Sequence, residues 1–122
     1  MLSSQHCARY QQFLVSLQVL QQTISNENAA KSTLNENFRQ AKQVYQSEIV
    51  PLNSEGLEGA IASRWQSIQT ELNRTFRLLQ TDISFLQMAR QSTTTQQRRA
   101  SCQQQLTRLI AGCEAAIALG NH

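Results

Sequence analysis

Proline occurs once in this chain, at Pro51, and glycine only four times in 122 residues. A sequence so short of turn formers cannot be cut into the many short strands of a sandwich or barrel, so long uninterrupted elements are expected. Charge is scarce too, at 16%, and the formal net charge is only +3. The basic residues are mostly arginines and are scattered, with Arg98-Arg99 the one adjacent arginine pair. A dense basic stripe of the kind that tracks a phosphate backbone is missing, which argues against nucleic-acid binding. Histidine appears only as His6 and His122, with no ligand-spaced partner for either. That removes both the Glu-x-x-His di-iron pattern and the Cys/His spacing of a zinc site. There is no Gly-x-Ser-x-Gly turn and no glycine-rich phosphate loop. The arginines of the long central segment, Arg64, Arg74 and Arg77, share no single helix face. No convergent polar pocket can be assembled from the pattern, so an enzyme, a metal or a cofactor is not expected.

The three cysteines lack a CxxC spacing. Cys102 and Cys113 are separated by about 16 Å along one helix, beyond the reach of a disulfide. With Cys7 they fall on or beside apolar stripes and read as small core residues in a reducing compartment. Arg9 is followed by FLVSLQVL, where polar residues break the apolar run. No signal peptide and no membrane span are expected, and the chain reads as a cytoplasmic protein.

What the chain does have is amide and apolar periodicity. Its 19 Gln and 7 Asn stand where charge usually sits. They are interleaved with periodic hydrophobics, so they serve as uncharged fillers of wet helix faces. Ile61, Trp65, Ile68, Leu72, Phe76, Leu79, Ile83 and Leu86 recur at steps of three and four. Such spacing predicts one helix from Glu55 to Arg90, roughly 50 Å long, with a single apolar stripe. A first helix starts near Ser3 or Ser4 and buries Cys7, Tyr10, Phe13, Leu14, Leu17, Leu20 and Ile24. A second opens with the capping-box spacing Thr33–Glu36, carries Leu34, Phe38, Ala41, Val44, Tyr45 and Ile49, and stops at Pro51. Asn53 or Ser54 is expected to cap the long third helix. After the polar turn expected at Gln91-Ser92-Thr93-Thr94-Thr95, Thr94–Gln97 repeats the capping-box spacing. It opens a fourth helix with Cys102, Leu106, Leu109, Ile110, Cys113 and Ile117, with Gly120 as terminal cap. One all-α domain over 1–122 follows, an antiparallel four-helix bundle in which the long third helix is the spine for helices one and four.

A second apolar row lies nearly opposite the main stripe of helix three: Leu78, Phe85 and Met88. It is expected either to be wrapped by neighbouring helices or to be an exposed patch for a partner or a second copy. Val15 and Val19 form a smaller off-face pair on helix one that could join it.

The segment RWQSIQTELNRTFRLLQTDISFLQMARQSTTTQQRR, followed by LTRLIAGCEAAI, resembles the cyanobacterial heterocyst frequency control protein PatD family. The matching motifs are Gln69-Thr70-Glu71, Arg77-Leu78-Leu79, Asp82, Phe85-Leu86-Gln87, Ala89-Arg90-Gln91 and Arg108-Leu109-Ile110 with Cys113. The resemblance covers the C-terminal half, and reaches the N-terminal half mainly through Tyr10, Phe13 and layout. It implies a non-enzymatic regulator of how often filament cells become heterocysts, linked to cell division through the tubulin-like protein FtsZ. It brings no catalytic residues. The densest motif and the off-stripe row together nominate Arg74, Arg77, Leu78, Asp82, Phe85, Gln87 and Met88 as a partner-binding surface, with Arg90 turned back toward the stripe. The alternative is a self-assembling or nucleic-acid-associated bundle in transcriptional control.

Overall fold

A computed structural model describes residues 4–120. Four α-helices account for most of them: α1 (Ser4–Ser25), α2 (Lys31–Val44), α3 (Gly59–Met88) and α4 (Ser92–Leu119). A single turn of π-helix, Tyr45–Ile49, extends α2. No strand occurs among the described residues, and no helix is long and apolar enough to cross a membrane. The expected cap at Ser3 and the terminal His122 lie outside the described residues.

Most of the apolar positions read from the sequence form the core, while Cys7, Leu14, Phe38, Val44, Ile68, Ile110 and Ile117 pack against it half-buried and Ile61 lies outside it. Tyr10, Phe13, Leu17 and Leu20 of α1 meet Leu72, Phe76, Leu79 and Ile83 of α3, with Cys102, Leu106, Leu109 and Cys113 of α4. Phe76 is the hub: its ring lies 4.2 Å from that of Tyr45, 5.9 Å from Phe38 and 6.1 Å from Phe13. Burial holds the Cys102 and Cys113 thiols neutral, with both pKa values pushed up to about 12.

The pairing of helices differs from the expected spine. α4 is the helix that packs along both α1 and α3, and α1 also packs along α2. α3 has 30 residues and α4 has 28, so α3 outlasts α4 by less than one turn. α1 and α3 sit at opposite corners and meet through core side chains such as Tyr10 and Gln69. α2 reaches α3 through the Phe38–Phe76 stack, a Tyr45–Asn73 hydrogen bond and Lys31 Nζ, which donates to the Gln87 carbonyl at 3.1 Å. Gly112 lets α4 come close to α3, because a Cβ there would stand 2.7 Å from Leu72 Cδ2.

Helix ends are where local signals misled. Neither capping box forms. α2 begins at Lys31, because an Asn26 turn has already reversed the chain: Asn28 N–H donates to Asn26 Oδ1 at 3.0 Å. Glu36 then turns outward to Arg39 in a two-pronged bond of 2.7 and 3.0 Å, leaving no carboxylate to reach back. α3 starts at Gly59 and not at Glu55. Asn53 Oδ1 accepts the Glu55 N–H at 2.9 Å, and Gly56 takes φ +83°, a left-handed conformation that ends any helix. α4 starts at Ser92, where Thr95 N–H and Oγ1 both donate to the Gln91 carbonyl at 2.9 Å. Gly120 does stand at the end of α4, but with φ −85°, so its special freedom is unused. Arg90 falls in the short α3–α4 connection rather than in the helix.

The π turn follows from Pro51. A proline continuing an α-helix strikes the carbonyl four residues earlier and offers no N–H. Widening the last turn, with Val50 N–H donating to the Tyr45 carbonyl at 2.9 Å, carries the chain clear of that clash. The Ile49 carbonyl then accepts from Leu52 N–H at 3.1 Å and from Gln69 Nε2 at 3.0 Å.

Candidate interaction surface

The outer face of α3 has a regular spacing. Arg64, Glu71, Leu78 and Phe85 recur every seven residues, and so do Ser67, Arg74, Thr81 and Met88, and all eight are exposed. A seven-residue step turns an α-helix by only about 20° from a full repeat, so the two rows form one nearly straight seam. Its first half is polar. Its second half carries Leu78 at 38% exposure, Phe85 at 44% and Met88 at 70%, so the neighbouring helices do not wrap this row. Val15 and Val19 are exposed as well, but they do not join it. They lie on the outer face of α1, across the core from α3, and so point the opposite way.

The polar candidates divide. Arg74 and Arg77 are exposed beside the apolar half, and Arg74 donates to Glu71 at 3.1 Å. Arg77 forms no ion pair among the described residues; its charge lies near the Tyr45 hydroxyl and opposes the rise that burial gives that phenol's pKa.

Asp82 is a correction. Expected on the surface, it is only 7% exposed and lies in the seam between α3 and α4. Ser101 Oγ donates to Asp82 Oδ2 at 2.7 Å, and Arg98 Nη1 lies 3.6 Å from Oδ1. A buried carboxylate needs such partners, since desolvation otherwise disfavours its charge. Its task is to join two helices. Gln87 is also turned aside: half-buried, its side-chain amide donates to Asn35 of α2. Neither side chain belongs to the free surface.

Arg98 was not among the sequence candidates, yet it links the seam to the patch. Its guanidinium carbon stands 4.4 Å from the centre of the Phe85 ring while its nitrogen faces Asp82. A cation over an aromatic face contributes about 0.5–1 kcal/mol at exposed sites. Arg98 therefore holds the Phe85 ring in place on the surface. The adjacent Arg99 points elsewhere, toward Glu27 at 3.7 Å. Neighbouring helix residues project about 100° apart, so the one arginine pair of the sequence is split between two sides of α4. No sequence signal marks Arg98 as the member that faces α3, except its position opposite Asp82 across a short connection.

No family model matches the chain, and neither a curated protein nor a solved structure matches it.

Proposed function

We propose that this chain is a non-enzymatic cytoplasmic interaction protein, resembling the PatD family, that modulates heterocyst frequency and cell division by binding FtsZ. The observation that carries the reading is the outer face of α3. Leu78, Phe85 and Met88 stay exposed on a helix whose opposite face is buried at Leu72, Phe76, Leu79, Ile83 and Leu86. Apolar side chains aligned along one row, with arginines beside them, have the composition of a protein-binding surface. The same segment carries the motifs Arg77-Leu78-Leu79 and Phe85-Leu86-Gln87 on which the resemblance rests.

The bundle that presents this face is antiparallel in our reading. Cys7 meets the Ile117 carbonyl while Gln103 meets Ser25, so α1 and α4 run in opposite senses. Arg9 pairs with Glu48 at 3.4 Å, and Asn37 Nδ2 donates to Thr23 Oγ1, which supports the same relation for α1 and α2.

The test is co-sedimentation with FtsZ from the same organism, with and without GTP. Co-pelleting, or a changed amount of polymer, is expected. Absence of both in either nucleotide state overturns the FtsZ assignment. Self-association through the same apolar row is the second reading, and sedimentation equilibrium of the protein alone checks it.

A further inference from the structure

The reading of α3 as a binding face leaves its occupant open, and the chemistry around the seam narrows it. The apolar half is flanked by Arg77 on one side and by Arg98, reaching over from α4, on the other, with Arg74 one turn earlier. The two nearby carboxylates are already engaged, Glu71 by Arg74 and Asp82 by Arg98 and Ser101. Asp82 is moreover buried, so it adds little to the charge an incoming partner meets. The same pairs partly offset Arg74 and Arg98, so the excess positive charge an incoming partner meets is chiefly that of Arg77, which forms no ion pair among the described residues.

A second copy fits this face poorly. Symmetric pairing of two such faces brings Arg74, Arg77 and Arg98 of both copies into one interface, with only the engaged Glu71 and the buried Asp82 to offset them. An excess of like charge disfavours an interface. The other exposed apolar pair, Val15 and Val19, is surrounded by exposed Gln11, Gln12, Gln18 and Gln22 and offers no carboxylate. A nucleic-acid strand fits no better. Leu78 and Met88 provide no ring for base stacking, and one face of Phe85 is already covered by Arg98. An extended strand has no sheet edge to pair with on a helix surface. The three- and four-residue steps of the seam match the knob spacing of another helix.

We propose that the outer face of α3 from Arg74 to Met88 docks an acidic amphipathic helix of a partner protein. Its apolar side chains lie over Leu78, Phe85 and Met88, and its flanking carboxylates meet Arg77 and Arg98. The inference rests on the interaction-protein reading above and adds the chemistry of the partner.

The probe is a fluorescent peptide of about three heptads with Leu at the seam positions and Glu beside them, compared with the same peptide carrying Lys for Glu. Anisotropy should show saturable binding of the Glu peptide to the full chain, weakening with salt, and none of the Lys peptide. Met88→Glu and Arg77→Glu should each weaken binding about tenfold or more, a change of roughly 1.4 kcal/mol or more. Both residues are exposed, so helix content and melting should stay as in the parent, and Val15→Glu on the opposite face should bind like the parent.

Equal binding of the Lys peptide overturns the proposal. So does wild-type affinity in Met88→Glu and Arg77→Glu, displacement of the peptide by a single-stranded oligonucleotide, or a dimer that Met88→Glu dissolves. Failure here separates from failure of the FtsZ reading. Peptide binding at this face without FtsZ co-pelleting removes FtsZ and keeps the docking chemistry. FtsZ co-pelleting that both variants leave intact keeps FtsZ and removes the docking face.

Discussion

Two polar clusters tie α3 to its neighbours, one in each half of the helix, and they are built in opposite ways. In the first half, Trp65 Nε1 donates to the Tyr10 hydroxyl at 2.8 Å, the hydroxyl donates to Gln69 Oε1 at 2.7 Å, and Gln69 Nε2 donates to the Ile49 carbonyl at 3.0 Å. The cluster is closed. It bridges α1, α3 and the π turn, and burial raises the Tyr10 phenol's pKa far above its ordinary range. In the second half, Asp82, Ser101 and Arg98 form an open cluster whose last member lies across an exposed ring. The closed cluster completes the core where Pro51 disrupts α2. The open one fixes two helices and also sets the position of a surface aromatic. One helix thus keeps its structural polarity inward and directs the rest to a face on which Leu78, Phe85 and Met88 stay exposed.

Breaking the closed cluster should cost most. Tyr10→Phe leaves the Trp65 N–H and the Gln69 carbonyl oxygen without their partner in a buried site. Unsatisfied buried polar groups cost about 1–3 kcal/mol each, so a loss of roughly 2–4 kcal/mol is expected in urea unfolding. Asp82→Ala should cost less, about 1–2 kcal/mol, because half-exposed Arg98 can turn to water. It should also loosen Phe85, seen as broadened ring resonances in NMR spectra. Gly112→Ala lies between helices α3 and α4 and pits a helix-propensity gain of about 1 kcal/mol against overpacking of about 1–3 kcal/mol. The clashing atom is the far end of the Leu72 side chain, and an open cleft lined by Ser67, Ile68, Glu71, Arg108 and Ala111 lies beside it. Leu72 can therefore turn aside, and a net change of no more than about 1 kcal/mol in chemical denaturation is expected.

Alkaline pH tests the core in a different way. Cys102 and Cys113 have folded pKa values of about 12 against an ordinary 9.0. A pKa raised by folding means the stabilising contribution is whole below pH 9 and falls as pH rises toward 12. The melting temperature should decline over that window, and a Cys102→Ala/Cys113→Ala variant should decline less steeply. A decline of equal slope in the variant assigns the effect to the buried tyrosines instead. The smallest effect belongs to the outer face: Met88→Glu should change stability by no more than about 0.5 kcal/mol.

The sequence pattern carried the helices and the core well because both depend on periodicity, which is written along the chain. The angle of Leu78, Phe85 and Met88 placed them opposite the buried stripe but left wrapping and exposure equally open, and the placement of the neighbouring helices decides for exposure. Asp82 was misread because its angle was judged against that stripe alone. It points toward α4, and the position of a neighbouring helix is not contained in a single helical wheel. Cap spacings failed for a different reason. In a chain rich in Ser, Thr and Gln, capping-box spacings recur by chance, and what decides is which acceptor is free once the preceding turn has closed. Glu36 was taken by Arg39, and Thr95 bonded back to Gln91. Pro51 announced the end of α2, but that Gln69 of α3 would meet the Ile49 carbonyl there is a tertiary contact that no local spacing contains.

The most direct measurement is co-sedimentation of the parent chain and of Met88→Glu with FtsZ polymer from the same organism, in GTP. The account predicts that the parent pellets with polymer, while the variant, equally folded by circular dichroism, stays in the supernatant. Pelleting of both to the same extent contradicts the assignment of the outer face of α3 as the binding surface, and pelleting of neither contradicts the assignment of FtsZ as its partner.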